Sequence, residues 1–200
     1  MYVKICGLST VESARVALEA GADAIGVVMS ARSPRHIGAE TAREIVGVAA
    51  GSAETVLVVS DMPAAEAAAL ARSLGIDILQ LHGAYSRGDF ADALAVIPRV
   101  WRATSLAKNP DLGVGAWGEE SILLDSPRAG SGESWDWSAV ARTPPRGRWM
   151  LAGGLTPETV REAIAATAPW GVDVSSGVES APGVKDAALI RAFVAAARGG

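Results

Sequence analysis

The sequence predicts an α/β protein: one closed barrel of eight parallel strands with helices packed around it. Eight short segments are apolar throughout rather than alternating, which is typical of parallel strands buried on both faces. They are residues 2–6, 24–28, 55–59, 78–81, 100–103, 122–124, 149–152 and 172–174. Alanine-rich helical segments separate most of them, at residues 10–20, 39–49, 64–74, 89–96, 157–167 and 185–197. Such alternation implies a parallel sheet with right-handed crossovers.

A repeated Gly-x-Asp step supports the count of eight units. It precedes the second, fourth and eighth strands, at Gly21, Gly75 and Gly171. The first two glycines are 54 residues apart, or 27 for each of two units, and the last two are 96 apart, or 24 for each of four. Constant unit length indicates a repeat architecture, and each glycine suits the left-handed position after a helix. The alternative is that these are only common helix-to-strand turns.

The fifth unit departs from this regularity. Residues 105–120 contain Pro110, three glycines and little apolar periodicity, and residues 126–134 are also loop-like. We therefore expect a single (β/α)₈ TIM barrel with an irregular or missing helix after strand five. Because no segment has the composition of a linker, residues 1–200 should form one domain, at the short end of the size range for this fold.

Composition excludes several classes of protein. The net charge of −4 argues against a nucleic-acid-binding face, which needs massed Lys and Arg. One cysteine and two histidines provide neither an internal disulfide nor the ligand spacing of a zinc site. The N-terminus lacks the apolar segment of a secretion signal, and no apolar run reaches the roughly 18 residues that span a bilayer. We expect a cytoplasmic protein without a structural metal and without a membrane or nucleic-acid partner.

Polar and small residues gather where the predicted strands end, which is where barrels of this kind carry their active sites. Cys6 follows strand one, Arg35 strand two, His82 strand four and Asp125 strand six. The loops after the last two strands contain glycine and serine: Gly153, Gly154, Ser175, Ser176 and Gly177.

These two loops predict a phosphate site. Glycines let backbone N–H groups approach an oxyanion, and serine hydroxyls add further donors. Gly130 and Ser131, after the sixth strand, could form a third wall of the same site. The alternative is that all of these glycines serve turns only.

Nine blocks of sequence, taken in order, resemble the phosphoribosylanthranilate isomerase family of tryptophan biosynthesis. They are VKICGL (3–8), GAD (21–23), SPR (33–35), LQLHG (79–83), LLD (123–125), GSG (130–132), WDW (135–137), LAGGL (151–155) and GVDVSSGVE (171–179). The resemblance covers essentially the whole chain. Two departures are Val-rich second and third strands where the family commonly has Phe, and AGSG at 129–132 in place of the usual Gly-Gly-Thr-Gly.

The resemblance implies an Amadori rearrangement of N-(5-phosphoribosyl)anthranilate to 1-(2-carboxyphenylamino)-1-deoxyribulose 5-phosphate. A general acid protonates the ribose ring oxygen, the ring opens to a protonated Schiff base, and a general base removes the C2 proton. The resulting enolamine then tautomerises to the ketone. No metal or cofactor is implied, because the substrate's own iminium is the electron sink.

The resemblance implies that Cys6 is the general base, Asp125 the general acid and Arg35 the partner of the anthranilate carboxylate. A thiolate base requires a neighbouring cation, such as Lys4 or Arg35, or backbone donors to lower the cysteine pKa. An aspartic acid that donates a proton requires desolvation to raise its pKa. From composition alone, Cys6 could equally be a small buried hydrophobe and Asp125 a turn or helix-capping residue.

Several interpretations stay open. His82 and Gln80 could belong to the site wall or be structural, Asp173 reads as a buried structural carboxylate, and Trp135 or Trp137 could touch substrate. A barrel isomerase that also accepts the related aminoaldose of histidine biosynthesis is one alternative function. A non-catalytic sensor of a phosphorylated metabolite is another, although phosphate binding alone would need neither Cys6 nor Asp125. We expect a monomer or a weak homodimer with a small phosphorylated substrate.

Overall fold

A computed structural model describes residues 1–108, 110–126 and 137–199 of the chain. Eight parallel strands form a closed barrel in chain order, and the eighth strand pairs with the first. The strands are β1 (Tyr2–Ile5), β2 (Ala24–Val28), β3 (Glu54–Val59), β4 (Ile78–His82), β5 (Val100–Thr104), β6 (Ser121–Leu124), β7 (Trp149–Leu151) and β8 (Gly171–Val174). The predicted fold is confirmed, and every predicted strand is present within two residues of its expected ends.

Helices surround the barrel as the alanine-rich segments predict. They are α1 (Val11–Glu19), α2 (Ala39–Ala49), α3 (Ala64–Leu74), α4 (Arg87–Leu94), α5 (Ser138–Arg142), α6 (Val160–Thr167) and α7 (Ala187–Arg198). Between β5 and β6, the described residues contain only a single 3₁₀ turn, Leu106–Lys108, in agreement with the irregular fifth unit. Among the helices of the described ranges, none has the length and apolar character needed to cross a membrane.

Side-chain caps account for two of the helix starts that differ from the prediction, those of α4 and α7. Helix α4 begins two residues before its predicted start because Ser86 and Asp89 form a reciprocal capping box. Helix α7 begins two residues late because the Asp186 carboxylate accepts hydrogen bonds from the N–H groups of Ala188 and Leu189. In both cases the helix begins at the residue that follows the capping side chain.

The sequence analysis missed the elements of two segments, one before β7 and one after β8. Helix α5 has only five residues, too few for an apolar period to be recognised. After β8 the chain forms a 3₁₀ turn and then an antiparallel hairpin of β9 (Glu179–Ala181) and β10 (Val184–Lys185). The hairpin turns at Gly183, whose φ of +81° favours glycine.

The prediction for the Gly-x-Asp steps was right for two of the three. Gly21 and Gly75 have φ values of +89° and +71° after α1 and α3, as expected. Gly171 instead lies within β8, where a Cβ would approach the Tyr2 carbonyl oxygen to 2.9 Å. The left-handed residue after α6 is Ala168, with φ of +45°. Asp173 lies within β8, as the predicted strand 172–174 implied.

The apolar core has two layers that hold the strand ends in place. The larger layer lies between the barrel and the helices and includes Ile5, Leu57 and Phe193. The smaller layer fills the barrel interior and includes Val56, Trp101 and Met150, with Cys6 among its members. The barrel is therefore a packed structure in which the site can only lie near the strand ends.

Candidate active site

A cavity of about 310 Å³ lies at the carboxyl ends of the strands. Its polar lining comes from all around the barrel: Cys6, Ser30, Ser33, Arg35, Ser60, Gln80, His82, Asp125, Asp173 and Ser175. The structure therefore brings together the three residues to which catalysis and carboxylate recognition were assigned. Convergent polar groups in a concave site with an apolar floor are typical of a small-molecule site.

A smaller recess of about 50 Å³ adjoins this cavity between the ends of β7 and β8. Gly153, Gly154, Ser175 and Ser176 line it, together with Asp125 and Asp173 of the main cavity. Both glycines have positive φ, +81° and +66°, which directs the loop backbone along the recess. Four of the residues predicted to hold phosphate therefore lie together.

The other predicted phosphate residues lie elsewhere or outside the described structure. Gly177 is not among the residues that line the recess; a Cβ there would meet the Leu155 carbonyl oxygen at 1.8 Å. Its role in the structure is thus to let the loops after β7 and β8 touch. Gly130, Ser131 and Trp135 lie outside the described residues. Trp137 packs against the apolar layer beneath the helices rather than lining the cavity.

The Cys6 thiol is buried at the top of β1, where its backbone N–H donates to the Val174 carbonyl at 2.8 Å. Burial raises the pKa of the thiol, and the positive charges of Lys4 and Lys185 offset only part of that rise. The cation that a thiolate base requires is present. The pKa of the Cys6 thiol is nevertheless raised, because the effect of desolvation is larger than the effect of the cation.

The pair Lys4–Asp173 lies directly beneath the cavity. The Lys4 ammonium is fully buried and donates to Oδ1 of Asp173 over 2.7 Å. The two residues are register partners on the neighbouring strands β1 and β8. Asp173 is therefore buried and paired, as the sequence analysis expected, but it also lines both the cavity and the recess.

Asp125 lies beyond the end of β6 and faces His82 at the end of β4. Its Oδ2 is 3.5 Å from Nε2 of His82, and its Oδ1 accepts a hydrogen bond of 2.7 Å from the Ser126 N–H. Burial raises the pKa of Asp125 and lowers that of His82, because removal from water disfavours the charged form of each group. This is the direction that a general acid requires of Asp125.

Arg35 is held by residues of the hairpin to which the sequence analysis assigned no role. Its Nε and Nη2 donate to the two carboxylate oxygens of Glu179 over 2.7 and 2.9 Å. The Lys185 ammonium bridges the same carboxylate, at 2.7 Å, and the Ser175 carbonyl and hydroxyl, at 2.8 and 3.2 Å. The network links Arg35 to the phosphate recess. The only sequence signal for it was that Glu179 ends the last matching block.

The arginine also explains the glycine after Cys6. Gly7 has φ of +72°, and a Cβ there would lie 2.6 Å from Cδ of Arg35 and 2.8 Å from Oγ of Ser175. Any larger residue at this position would push the Arg35 and Ser175 side chains away from the backbone that follows Cys6. One further polar group faces the cavity: the buried Oε1 of Gln80, which has no hydrogen-bond partner among the described residues.

Comparisons with known proteins agree with this geometry. The family model described as N-(5'-phosphoribosyl)anthranilate (PRA) isomerase matches residues 3–196. The chain belongs to the phosphoribosylanthranilate isomerase family. A relative with the family name, from Geobacter sp. (strain M21), is 41% identical over 98% of this chain and 97% of its own.

Solved structures of the family superpose on the whole barrel. TrpF from Jonesia denitrificans is 56% identical, with a TM-score of 0.93 over 100% of this chain and 97% of that one. A family enzyme solved in complex with reduced 1-(o-carboxyphenylamino)-1-deoxyribulose 5-phosphate is 32% identical, with a TM-score of 0.87 over 100% and 99%. The resemblance inferred from the sequence blocks is confirmed.

Proposed function

We propose that this chain converts N-(5-phosphoribosyl)anthranilate into 1-(2-carboxyphenylamino)-1-deoxyribulose 5-phosphate, with Cys6 as general base and Asp125 as general acid. The isomerase activity in tryptophan biosynthesis is that of its family. The observation that carries the assignment of roles is that both side chains line one cavity, which adjoins a glycine- and serine-lined recess.

The two groups act in sequence on a substrate that spans the cavity. Protonated Asp125 donates its proton to the ribose ring oxygen, the C1–O bond breaks, and the nitrogen lone pair forms the iminium. The Cys6 thiolate then removes the C2 proton, and the electron pair moves to the iminium nitrogen to give the enolamine. Tautomerisation of the enolamine produces the ketone. Positioned acids and bases typically contribute about 10² to 10⁴ in rate for each such step.

The phosphate lies in the recess between the loops after β7 and β8. Backbone N–H groups of Gly153 and Gly154 and the hydroxyls of Ser175 and Ser176 supply donors there. Gly177 supports the site by allowing the loops after β7 and β8 to meet. The prediction that Gly130 and Ser131 also bind the phosphate concerns residues outside the described structure. The bound analogue in the related enzyme carries such a 5-phosphate.

The anthranilate carboxylate pairs with Arg35, whose orientation is set by Glu179. Among the described contacts, the guanidinium uses Nε and Nη2 for Glu179, so Nη1 is the donor left for the substrate. Fixing the planar fork before binding reduces the entropy lost when the carboxylate arrives. The Gln80 Oε1, which is buried and has no partner among the described residues, accepts a hydrogen bond from a ribose hydroxyl.

We also propose that residues 1–200 form one catalytic domain that works in the cytoplasm as a monomer or a weak homodimer. The chemistry requires no metal or cofactor, because the substrate iminium takes up the electron pair. The eight strands close into one barrel, and one apolar layer joins that barrel to the helices around it, which supports a single domain.

Turnover of substrate generated in situ tests this proposal by the decay of phosphoribosylanthranilate fluorescence. We expect enzyme-dependent decay that falls by at least about 10² in Cys6→Ala, because that variant has no base. Asp92→Asn, on the exposed face of α4, is a control and should keep full activity. Absence of decay with folded wild-type protein would contradict the proposed reaction. Unchanged kcat in Cys6→Ala would contradict only the role of Cys6.

A further inference from the structure

The Lys4–Asp173 pair stands out because the barrel interior around it is otherwise apolar. Lys4 has 0% exposed surface, and the side chains that fill the same space include Val56, Trp101 and Met150. A buried ion pair seldom stabilises a fold, since removing two charges from water costs about as much as their attraction returns. Apolar side chains of similar volume would serve the packing as well, so stability does not account for the pair.

The geometry connects the pair to Cys6. Lys4 and Cys6 are two residues apart along β1, so their side chains point to the same face of the strand. They converge over Gly26 of β2, where a Cβ would lie 3.0 Å from Cys6 Sγ and 3.2 Å from Lys4 Cε. The positive charge of the ammonium lowers the pKa of the thiol and so opposes the rise that burial causes. Gly26 leaves the space that this approach needs.

We propose that Lys4 is a positioning residue for the reaction: its ammonium, held beneath Cys6 by Asp173, stabilises the Cys6 thiolate at the moment the base is needed. The inference rests on the proposed role of Cys6 as base. Lys4 stays protonated throughout, and only the thiol loses its proton to solvent in the free enzyme or regains one from C2 of the substrate. Asp173 anchors the ammonium, but its own negative charge repels the thiolate. Lys4 therefore lowers the pKa of Cys6 and Asp173 raises it.

Other charged groups around Cys6 do not duplicate this role. Lys185 and Arg35 approach from above, but both are paired with the Glu179 carboxylate, which compensates their charge. Asp125 and His82 line the same cavity, and burial disfavours the charged form of each. Among the described residues, Lys4 and Asp173 are thus the charged pair that lies on the barrel side of the thiol. Burial raises the thiol pKa, and Lys4 is the largest influence that lowers it.

Alkylation of Cys6 by iodoacetamide measures this effect without turnover. Because Cys6 is the single cysteine of the chain and lines the cavity, the rate of alkylation against pH reports its ionisation alone. We expect the midpoint to rise by at least about one pH unit in Lys4→Met, equivalent to about tenfold slower alkylation at a fixed pH below it. In Asp173→Asn the midpoint should fall, because the ammonium remains and the opposing carboxylate is lost. Lys108→Met, which changes an exposed lysine, should not move it.

Shifts of opposite sign separate electrostatic positioning from a merely structural role. Equal shifts in the same direction for Lys4→Met and Asp173→Asn, or no shift in either, would overturn the proposal. If Lys4→Met does not fold, the double variant Lys4→Met/Asp173→Asn buries no unpaired charge and is measured instead. Its midpoint should lie above that of the wild type, and a midpoint at or below it would overturn the proposal. The alkylation shifts stand whether or not phosphoribosylanthranilate is turned over, so failure of the proposed function is seen separately.

Discussion

Nε2 of His82 lies 3.5 Å from Oδ2 of Asp125 across the mouth of the barrel, where burial raises the pKa of Asp125 and lowers that of His82. A carboxyl group in an apolar site keeps its proton to higher pH than it would in water. Asp125 therefore keeps the proton that the reaction requires up to a higher pH than a solvated carboxyl group does. The removal of Asp125 from water therefore affects how both the activity and the stability of the protein depend on pH.

Asp125→Asn should reduce kcat by at least about 10², because the amide cannot donate the proton that opens the ribose ring. In the wild type, activity should fall as the pH rises through the raised pKa of Asp125, since the acid form is lost. That alkaline limb should be absent from the residual activity of the variant. The measurement is kcat/KM against pH, with Asp92→Asn as control. Retention of the same limb in Asp125→Asn would assign it to another group.

The same substitution should raise the thermal stability at neutral pH. The folded state holds the Asp125 proton to higher pH than the unfolded chain does, because burial raises the pKa in the fold. Stability therefore falls as the pH rises from the unfolded value toward the folded one, and the loss persists at neutral pH. An asparagine carries no such penalty. We expect the Tm of Asp125→Asn minus that of the wild type to grow between about pH 4 and pH 7. A difference that shrinks over this range would contradict the raised pKa.

Arg35→Ala should weaken binding far more than it slows the chemical step. Loss of a charge-assisted contact to a carboxylate costs about 1.5 to 3 kcal/mol, or roughly 10- to 150-fold in affinity. Arg35→Lys should recover little of this, since lysine lacks the planar fork that Glu179 orients. Isothermal titration with a reduced product analogue measures the effect, and Arg43→Ala on the exposed face of α2 is the control. Unchanged affinity in Arg35→Ala would contradict the proposed contact between Arg35 and the anthranilate carboxylate.

Gly177→Ala should disturb the phosphate recess and destabilise the fold by about 1 to 3 kcal/mol. The added methyl would lie 1.8 Å from the Leu155 carbonyl oxygen, so the loops after β7 and β8 must separate. Gly47→Ala is a matched control, because that glycine is exposed in α2 with no atom within 4 Å of its Cβ position. Helix propensity makes the control neutral or stabilising by up to about 1 kcal/mol. Equal unfolding midpoints for the two variants would contradict the contact.

The strands and most helices were predictable because each depends on a local pattern. Apolar runs mark buried strands wherever they lie, and α2 and α3 have the predicted ends because their apolar periods stop there. Residues at strand ends were also predictable as site candidates, since every parallel strand of a barrel ends on the same face. Cys6, Arg35 and Asp125 reach one cavity for that reason.

The partners of these residues depended on closure of the barrel. The Lys4–Asp173 contact joins positions 169 residues apart, and it exists because β8 pairs with β1. The Arg35–Glu179 contact spans 144 residues and requires the hairpin after β8, which has no apolar pattern of its own. The pKa of Cys6 is raised because the thiol is buried, and the degree of burial cannot be read from the local sequence.

The sequence by itself determined the fold, the family and the residues available for chemistry, because those depend on periodicity, order and the identity of side chains at strand ends. Only the tertiary structure decided which charges face Cys6 and Asp125, how far each is removed from water, and which residue orients Arg35. Those properties are set by distances between strands that are remote in the chain, and electrostatic energies change steeply with such distances and with burial.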